Sequence, residues 1–121
     1  MNGALRVMTW NANGLLKHQE ELQRILQKAK IDVCLISETH FTRHSYIAFK
    51  NYEIYHRIHP SNCARGDTAV IVKNSIKHNE DRKISAYNIQ TTAITLKAMN
   101  QPLSITAIYC RRGTKLSLKN I

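Results

Sequence analysis

The sequence predicts an α/β fold, and three observations carry that expectation. A segment at residues 5–10 alternates apolar and polar side chains, a stretch at 17–30 repeats its apolar positions with helical spacing, and a short apolar run follows at 33–37. Together they have the pattern of a β-α-β unit, and only strand-like segments follow it.

Taken in order, LRVMTW has the period of a half-buried strand and stops at Asn11-Ala12-Asn13-Gly14, a cluster of turn formers. The first strand therefore delivers an Asn-rich loop. In the helix, Leu22, Ile25, Leu26 and Ala29 share one face, while Gln19, Glu20, Gln23, Arg24, Gln27 and Lys28 take the others. VCLIS after Asp32 is expected to be a strand buried on both faces, parallel to the first across the helix. YEIYHR, TAVIVK, NIQTTAITLKA and LSITAIYC read as further strands. Ile94, Leu96 and Ala98 share one face of their strand, and Leu103, Ile105, Ala107 and Tyr109 share one face of the next. The intervening Asn-Gln-Pro turn should stack those faces as a hairpin.

The 121 residues suffice for one domain and leave no room for two. Hydrophobic residues at 43%, with four Gly and two Pro, exclude a disordered or collagen-like chain. The longest apolar runs, such as AVIV at 69–72, are far shorter than a membrane span, which needs about 20 residues. Arg6, Thr9 and Asn11 interrupt the amino terminus before a signal-peptide core can form, so a nuclear or cytoplasmic protein is expected and no membrane partner. The formal charge of +10 favours a polyanion such as nucleic acid, although a merely well-solvated basic surface has the same composition. Cys34, Cys63 and Cys110 lack paired spacing and fit reduced thiols, with Cys34 and Cys110 in the core.

Glu38, in LISETHF, falls at the carboxyl end of the second strand, where open α/β sheets place functional groups. The neighbouring parallel strand ends in WNANG, so Asn11 and Asn13 emerge at the same sheet edge. One carboxylate with amide and water oxygens is a hard-oxygen set suited to Mg²⁺, whereas a structural account makes both Asn simple turn builders. His56, His59 and Cys63 offer only three ligands where structural zinc sites want four. No phosphate-binding glycine loop or nucleophile elbow is present, so no nucleotide cofactor is expected.

WNANGL, SETHF, RGDTAVIVK and ITAIYC, in that order and spacing, resemble the endonuclease/exonuclease/phosphatase superfamily, closest to the apurinic-type endonuclease domain of jockey-like non-LTR retrotransposons. The resemblance covers nearly the whole chain. It implies a deoxyribonuclease-I-like four-layer α/β sandwich that hydrolyses phosphodiesters with Mg²⁺ or Mn²⁺ and acts on DNA. It also implies roles: Glu38 as metal ligand, Asn11 supporting the reacting phosphate, Asn13 near the metal, and Tyr109 pointing at the phosphate. Tyr109 also continues an apolar face and has a packing role available to it. His40 is expected only to line the site.

Asp67 stands where relatives usually have the second Gly of RGG, a place where positive φ is expected to be needed, and Arg111-Arg112 stand where Pro-Pro is usual. Arg65-Gly66-Asp67 also spells an integrin tripeptide, which is taken as chance. The family continues to an Asp-x-Asn strand end and an Asp-His pair in which the His acts as general acid or base. Asp32, Asp67 and Asp81 are the only Asp residues, and none is followed by x-Asn or by His. The expectation is a partial domain over residues 1–121, truncated at the carboxyl end and inactive alone. The alternative is a non-catalytic remnant binding nucleic acid weakly through Lys and Arg. Absent strands would then leave Ile94, Leu96, Ile105 and Ala107 uncovered.

Overall fold

A computed structural model of the chain describes residues 4–42, 45–57, 67–81, 84–85, 89–97 and 100–110. The expected β-α-β unit forms: β1 (Val7–Asn11), α1 (Gln19–Lys28) and β2 (Val33–Ser37), with β1 parallel to β2 and Asn11 opposite Ser37. The helix is shorter at both ends than its hydrophobic period. A 3-10 turn at Leu16–His18 precedes it, and Lys30, at φ 53°, reverses the chain after it. There the Ile31 N–H donates to the Leu26 carbonyl at 3.0 Å and the Lys30 N–H to that of Gln27 at 3.4 Å, which satisfies two end carbonyls. Leu22 and Leu26 are buried, while Ile25 lies at the exposed margin of the face.

Two sheets face each other. The first has the order β1-β2-β4-β3, with β4 (Thr68–Lys73) antiparallel to both β2 and β3 (Tyr52–Arg57). As its inner strands, β2 and β4 need apolar side chains on both faces, which accounts for the runs VCLIS and TAVIV. The second sheet centres on β7 (Ile89–Leu96), with β8 (Leu103–Cys110) pairing along its whole length and β5 (His78–Glu80) and β6 (Ile84–Ser85) also pairing with it, all antiparallel. The β7–β8 hairpin has Leu96 opposite Leu103 and Ile94 opposite Ile105, as the turn signal implied. Ala98 and Met99 lie outside the described residues.

The core has two compartments. Met8, Trp10, Cys34, Ile36, Ala69 and Ile71 pack with Leu22 and Leu26 of the helix and with Phe41 and Phe49. On the opposite face, Val33, Val70 and Val72 meet Ile76, Ile94, Leu96 and Ala107 between the sheets. This corrects one expectation. Ile94 and Leu96 are 0% exposed and Ala107 5%, with Ile105 packed against them, because the valines of β2 and β4 already cover that face. Each such burial is worth ~1.5–3 kcal/mol for a residue of Leu or Ile size. Helix, sheet and sheet make three layers among the described residues.

What stays open is one side of the sandwich. β1 pairs only with β2, and β8 only with β7, among the described residues. Val7 is 45% and Ile108 56% exposed on these edge strands. Between them runs a groove of about 280 Å³ lined by Thr9, Trp10, Asn11, Ser37 and Thr106 among others.

Cys34 is fully buried and Cys110 only partly, and both are free thiols. Burial pushes the Cys34 thiol up to about 12. Tyr55 is likewise raised to about 12, first by burial, then by its hydrogen bond to Glu53 and the charges of Glu53 and Glu80. Its hydroxyl lies 2.6 Å from Glu53 Oε2 and 2.9 Å from Nε2 of His78 on the second sheet. Both groups have folded values above their ordinary ones. The stability they contribute is complete below pH 9, the ordinary thiol value, and is lost as pH rises toward 12. We expect the urea midpoint to fall across that window and Cys34 to resist iodoacetamide at pH 8 until the chain unfolds. A flat alkaline profile, or native Cys34 alkylating as fast as Cys110, would contradict this.

Candidate active site

The first strand ends in Asn11, and its loop is stitched to the end of β2 by backbone hydrogen bonds. Ala12 N–H donates to the Ser37 carbonyl at 3.0 Å, Gly14 N–H to that of Glu38 at 2.9 Å, and Leu15 N–H to that of Thr39 at 2.9 Å. Thr39 N–H in turn donates to the Asp67 carbonyl at 3.1 Å, which ties the start of β4 into the same edge. Thr39 and Phe41 are each 1% exposed and anchor the segment beneath Glu38.

On this frame the Asn11 Nδ2 group donates to Glu38 Oε2. The amide's own oxygen then faces away from that bond. Glu38 Oε1 lies 3.8 Å from His40 Nε2, and both side chains are about one-third exposed. The loop residues Asn13, Glu38 and His40 have φ of 45°, 56° and 57°, a region that costs an L side chain roughly 1–2 kcal/mol. Asn tolerates this conformation, whereas Glu and His do so at a cost that backbone hydrogen bonds on both flanks must offset. Asp67 is not among the positive-φ residues, so the strain expected at its position is absent. It is instead fully buried behind the Glu38 turn, where its carbonyl accepts from the Thr39 N–H.

Tyr109 reaches the same end of the sandwich by register. Asn11 is opposite Ser37 and Ser37 opposite Thr68, while Thr68 and Thr92 bring their hydroxyls to 2.9 Å across the two sheets. Thr92 is opposite Ala107, and Tyr109 lies opposite Gln90, two residues further toward that end. Tyr109 is half-buried and makes no hydrogen bond to Glu38 or Asn11. Asn13 is exposed, with no side-chain hydrogen bond among the described residues. Asn11 and Glu38 are thus in contact, while Asn13 and Tyr109 share their edge with no hydrogen bond to them.

No cluster of three His, Cys, Asp or Glu side chains able to hold a metal occurs among the described residues. His59 and Cys63 lie outside them, as do Arg111 and Arg112. His56 instead packs edge-on to Phe41, with ring centroids 5.3 Å apart. The sequence singled out neither the buried Thr68–Thr92 pair nor Lys17, which folds toward Gly14. A hydroxyl ladder and a loop contact have no periodicity to betray them.

Two facing sheets with a helix outside make an α/β sandwich, with a carboxylate braced by an amide at adjacent strand ends. Comparison with known proteins gives the family: the chain belongs to the endonuclease/exonuclease/phosphatase family, whose profile matches residues 8–115. It is 34% identical over 105 residues to the RNA-directed DNA polymerase from mobile element jockey of Drosophila funebris, covering 87% of this chain and 12% of that protein. The Drosophila melanogaster jockey polymerase is 35% identical over the same shares. The fold of the chain matches the endonuclease domain of TRAS1, a telomere-specific non-LTR retrotransposon, with TM-score 0.67 at 14% identity, covering 92% of this chain and 48% of that one. The Xenopus laevis APE2 catalytic domain matches with TM-score 0.58 at 19% identity, over 88% and 46%. The chain is thus a member of that family related to non-LTR retrotransposon proteins, and it spans about half the length of these solved domains and about an eighth of the curated relatives. No helix among the described residues is long and apolar enough to cross a membrane.

Proposed function

We propose that this chain supplies the cation- and phosphate-facing part of a DNA endonuclease site in a retrotransposon-type protein, one that nicks a target strand to expose a 3′-hydroxyl for reverse transcription. The observation that carries it is Glu38 held by Asn11 at the joined ends of β1 and β2. The donor chemistry fits Mg²⁺ or Mn²⁺. Glu38 offers a part-exposed carboxylate, and Mg²⁺ needs only one or two protein carboxylates because it keeps several waters. Glu38 would hold the cation, with Asn13 beside it. Bound there, the cation would supply Lewis-acid stabilisation of charge on the phosphate. Asn11 orients the Glu38 carboxylate, and Tyr109 limits the phosphate's position from the facing sheet.

No Asp-x-Asn or Asp-His sequence is present in these 121 residues, so the pair that supplies the family's His general acid or base is not among them. The segment acts as the amino-terminal part of a longer domain, a placement supported by its coverage of under half of each solved relative. Alone, it nicks supercoiled plasmid in Mg²⁺ no faster than the Glu38→Ala variant. A Glu38-dependent rate would overturn its inactivity and establish a self-sufficient site. The second reading, a non-catalytic remnant that holds nucleic acid electrostatically, draws on the +10 charge. It separates from the first when the polypeptide is extended to include Asp-x-Asn and Asp-His segments: nicking restored in that longer chain, and abolished again by Glu38→Ala, supports the endonuclease. Mg²⁺ alone should bind weakly, and saturation at micromolar Mg²⁺ in calorimetry would point to ligands beyond Glu38.

A further inference from the structure

The end of the first sheet opposite Glu38 carries a cationic cavity that the family comparison does not assign. Its volume is about 250 Å³, and it is lined by Gln27 and Lys30 from the end of α1, Lys50 and Asn51 from the approach to β3, Tyr52 at the start of β3 and Lys73 at the end of β4. Tyr52 lies opposite Lys73, whereas Thr68, at the other end of β4, lies opposite Ser37 beside Glu38. The length of β4, at ~3.3 Å per residue, therefore puts roughly 17 Å between this cavity and the candidate active site. The chain's own bonds fix the walls. The Tyr52 hydroxyl lies 2.5 Å from the Ile31 carbonyl and 3.2 Å from that of Leu26, and the Asn74 N–H donates to the Asn51 carbonyl at 3.0 Å.

Three lysines share this cavity, and among the described residues no carboxylate lines it. Lys73 is within 3.8 Å of Asp32, which lies outside the lining, while Lys30 and Lys50 have no ion-pair partner among the described residues. The helix macrodipole accounts for a cation in the last turn of α1, which Lys28 supplies, but not for Lys50 and Lys73 on separate elements. Lys30 holds φ 53° just past the helix, where glycine is the usual residue, so the position carries a cation where the turn alone favours no side chain. Like charges gathered on one wall repel, and an anion between them turns that repulsion into attraction. Ammonium groups are point donors that suit the oxygens of a phosphate, and the forked guanidinium that matches a planar carboxylate is missing from the lining. We propose that this cavity is a phosphate site, remote from Glu38, that takes a phosphate group of a nucleic-acid strand or of a free polyphosphate. The carboxamides of Gln27 and Asn51 add N–H donors beside the ammonium groups. This inference does not depend on the endonuclease reading.

The test titrates the full chain in metal-free buffer with two probes, inorganic pyrophosphate in calorimetry and a fluorescein-labelled oligothymidylate in anisotropy. Without divalent metal, neither readout involves cleavage or a cation at Glu38. We expect Lys30→Gln combined with Lys50→Gln to weaken binding about tenfold at low salt and, for the single strand, to make the slope of log K against log salt shallower by about 1.4, the effect of losing two phosphate contacts. Lys30→Arg combined with Lys50→Arg keeps the charge and should retain most of the binding. Lys77→Gln combined with Lys97→Gln removes the same charge beside β5 and β7, outside the cavity lining, and should leave both readouts close to native. Loss confined to the oligonucleotide would assign the site to a strand, and loss of pyrophosphate binding would assign it to free polyphosphate. If neither probe separates the Lys30 and Lys50 pair from the Lys77 and Lys97 pair, or if the native chain binds neither probe, the site is overturned and the reading of Glu38 stands untouched.

Discussion

Replacing Phe41 by alanine is expected to cost about 3–5 kcal/mol, close to the whole stability of a small domain. Its ring is 1% exposed, meets His56 edge-on at an interplanar angle of 84°, and lies in the compartment shared with the helix. It also sits just after the turn that presents Glu38 and His40, so the cavity would open directly beneath the site. Urea unfolding followed by circular dichroism should show a large fall in midpoint, with Phe41→Leu intermediate because it keeps most of the volume. A destabilisation below about 1 kcal/mol, small against the usual cost of such a cavity, would mean that the backbone bonds from Gly14, Leu15 and Thr39 hold the turn without the ring.

The second large effect concerns association. Edge strands with unpaired backbone groups and exposed apolar side chains template pairing with other chains, and natural sheets blunt them with charge. Here β1 and β8 carry Val7 and Ile108 at their exposed faces. We expect the native chain to associate with rising concentration despite a net charge of +10, and the combined Val7→Lys and Ile108→Lys variant to sediment as a monomer. A native chain that sediments as a monomer and melts in one sharp transition would show that these edges are harmless.

Much of this architecture was legible in the sequence, for physical reasons. The β-α-β opening announces itself because one face of α1 and both faces of β2 are buried, and burial imposes period. The hairpin register was legible because Asn-Gln-Pro sets the turn and the apolar faces of β7 and β8 must coincide. β5 and β6 were not, since strands of three and two residues held by one neighbour need no hydrophobic pattern. Sheet order was hidden as well. β2 and β4 were each expected to be strands, but nothing in VCLIS or TAVIVK says that they lie side by side and antiparallel. For that reason Ile94, Leu96 and Ala107 were expected to be bare when β2 and β4 cover them. At the site, Glu38, Asn11 and Tyr109 fall at one end of the sheets as their strand-end positions suggested. The fold of Lys17 over Gly14 depends on a loop conformation that residue type alone does not specify.

The left-handed turn at Glu38 and His40 bears on how such a sequence would respond to optimisation. Glycine at either position would relieve backbone strain of roughly 1 kcal/mol or more, so a selection or redesign scored on thermal resistance alone would favour it. Each gain would delete a carboxylate or an imidazole from the group formed by Asn11, Glu38 and His40. Backbone relaxation and the retention of these polar groups therefore compete at the same two residues. A chain under no pressure to keep that carboxylate should lose Glu38 to glycine early, while keeping Phe41 and the valines between the sheets.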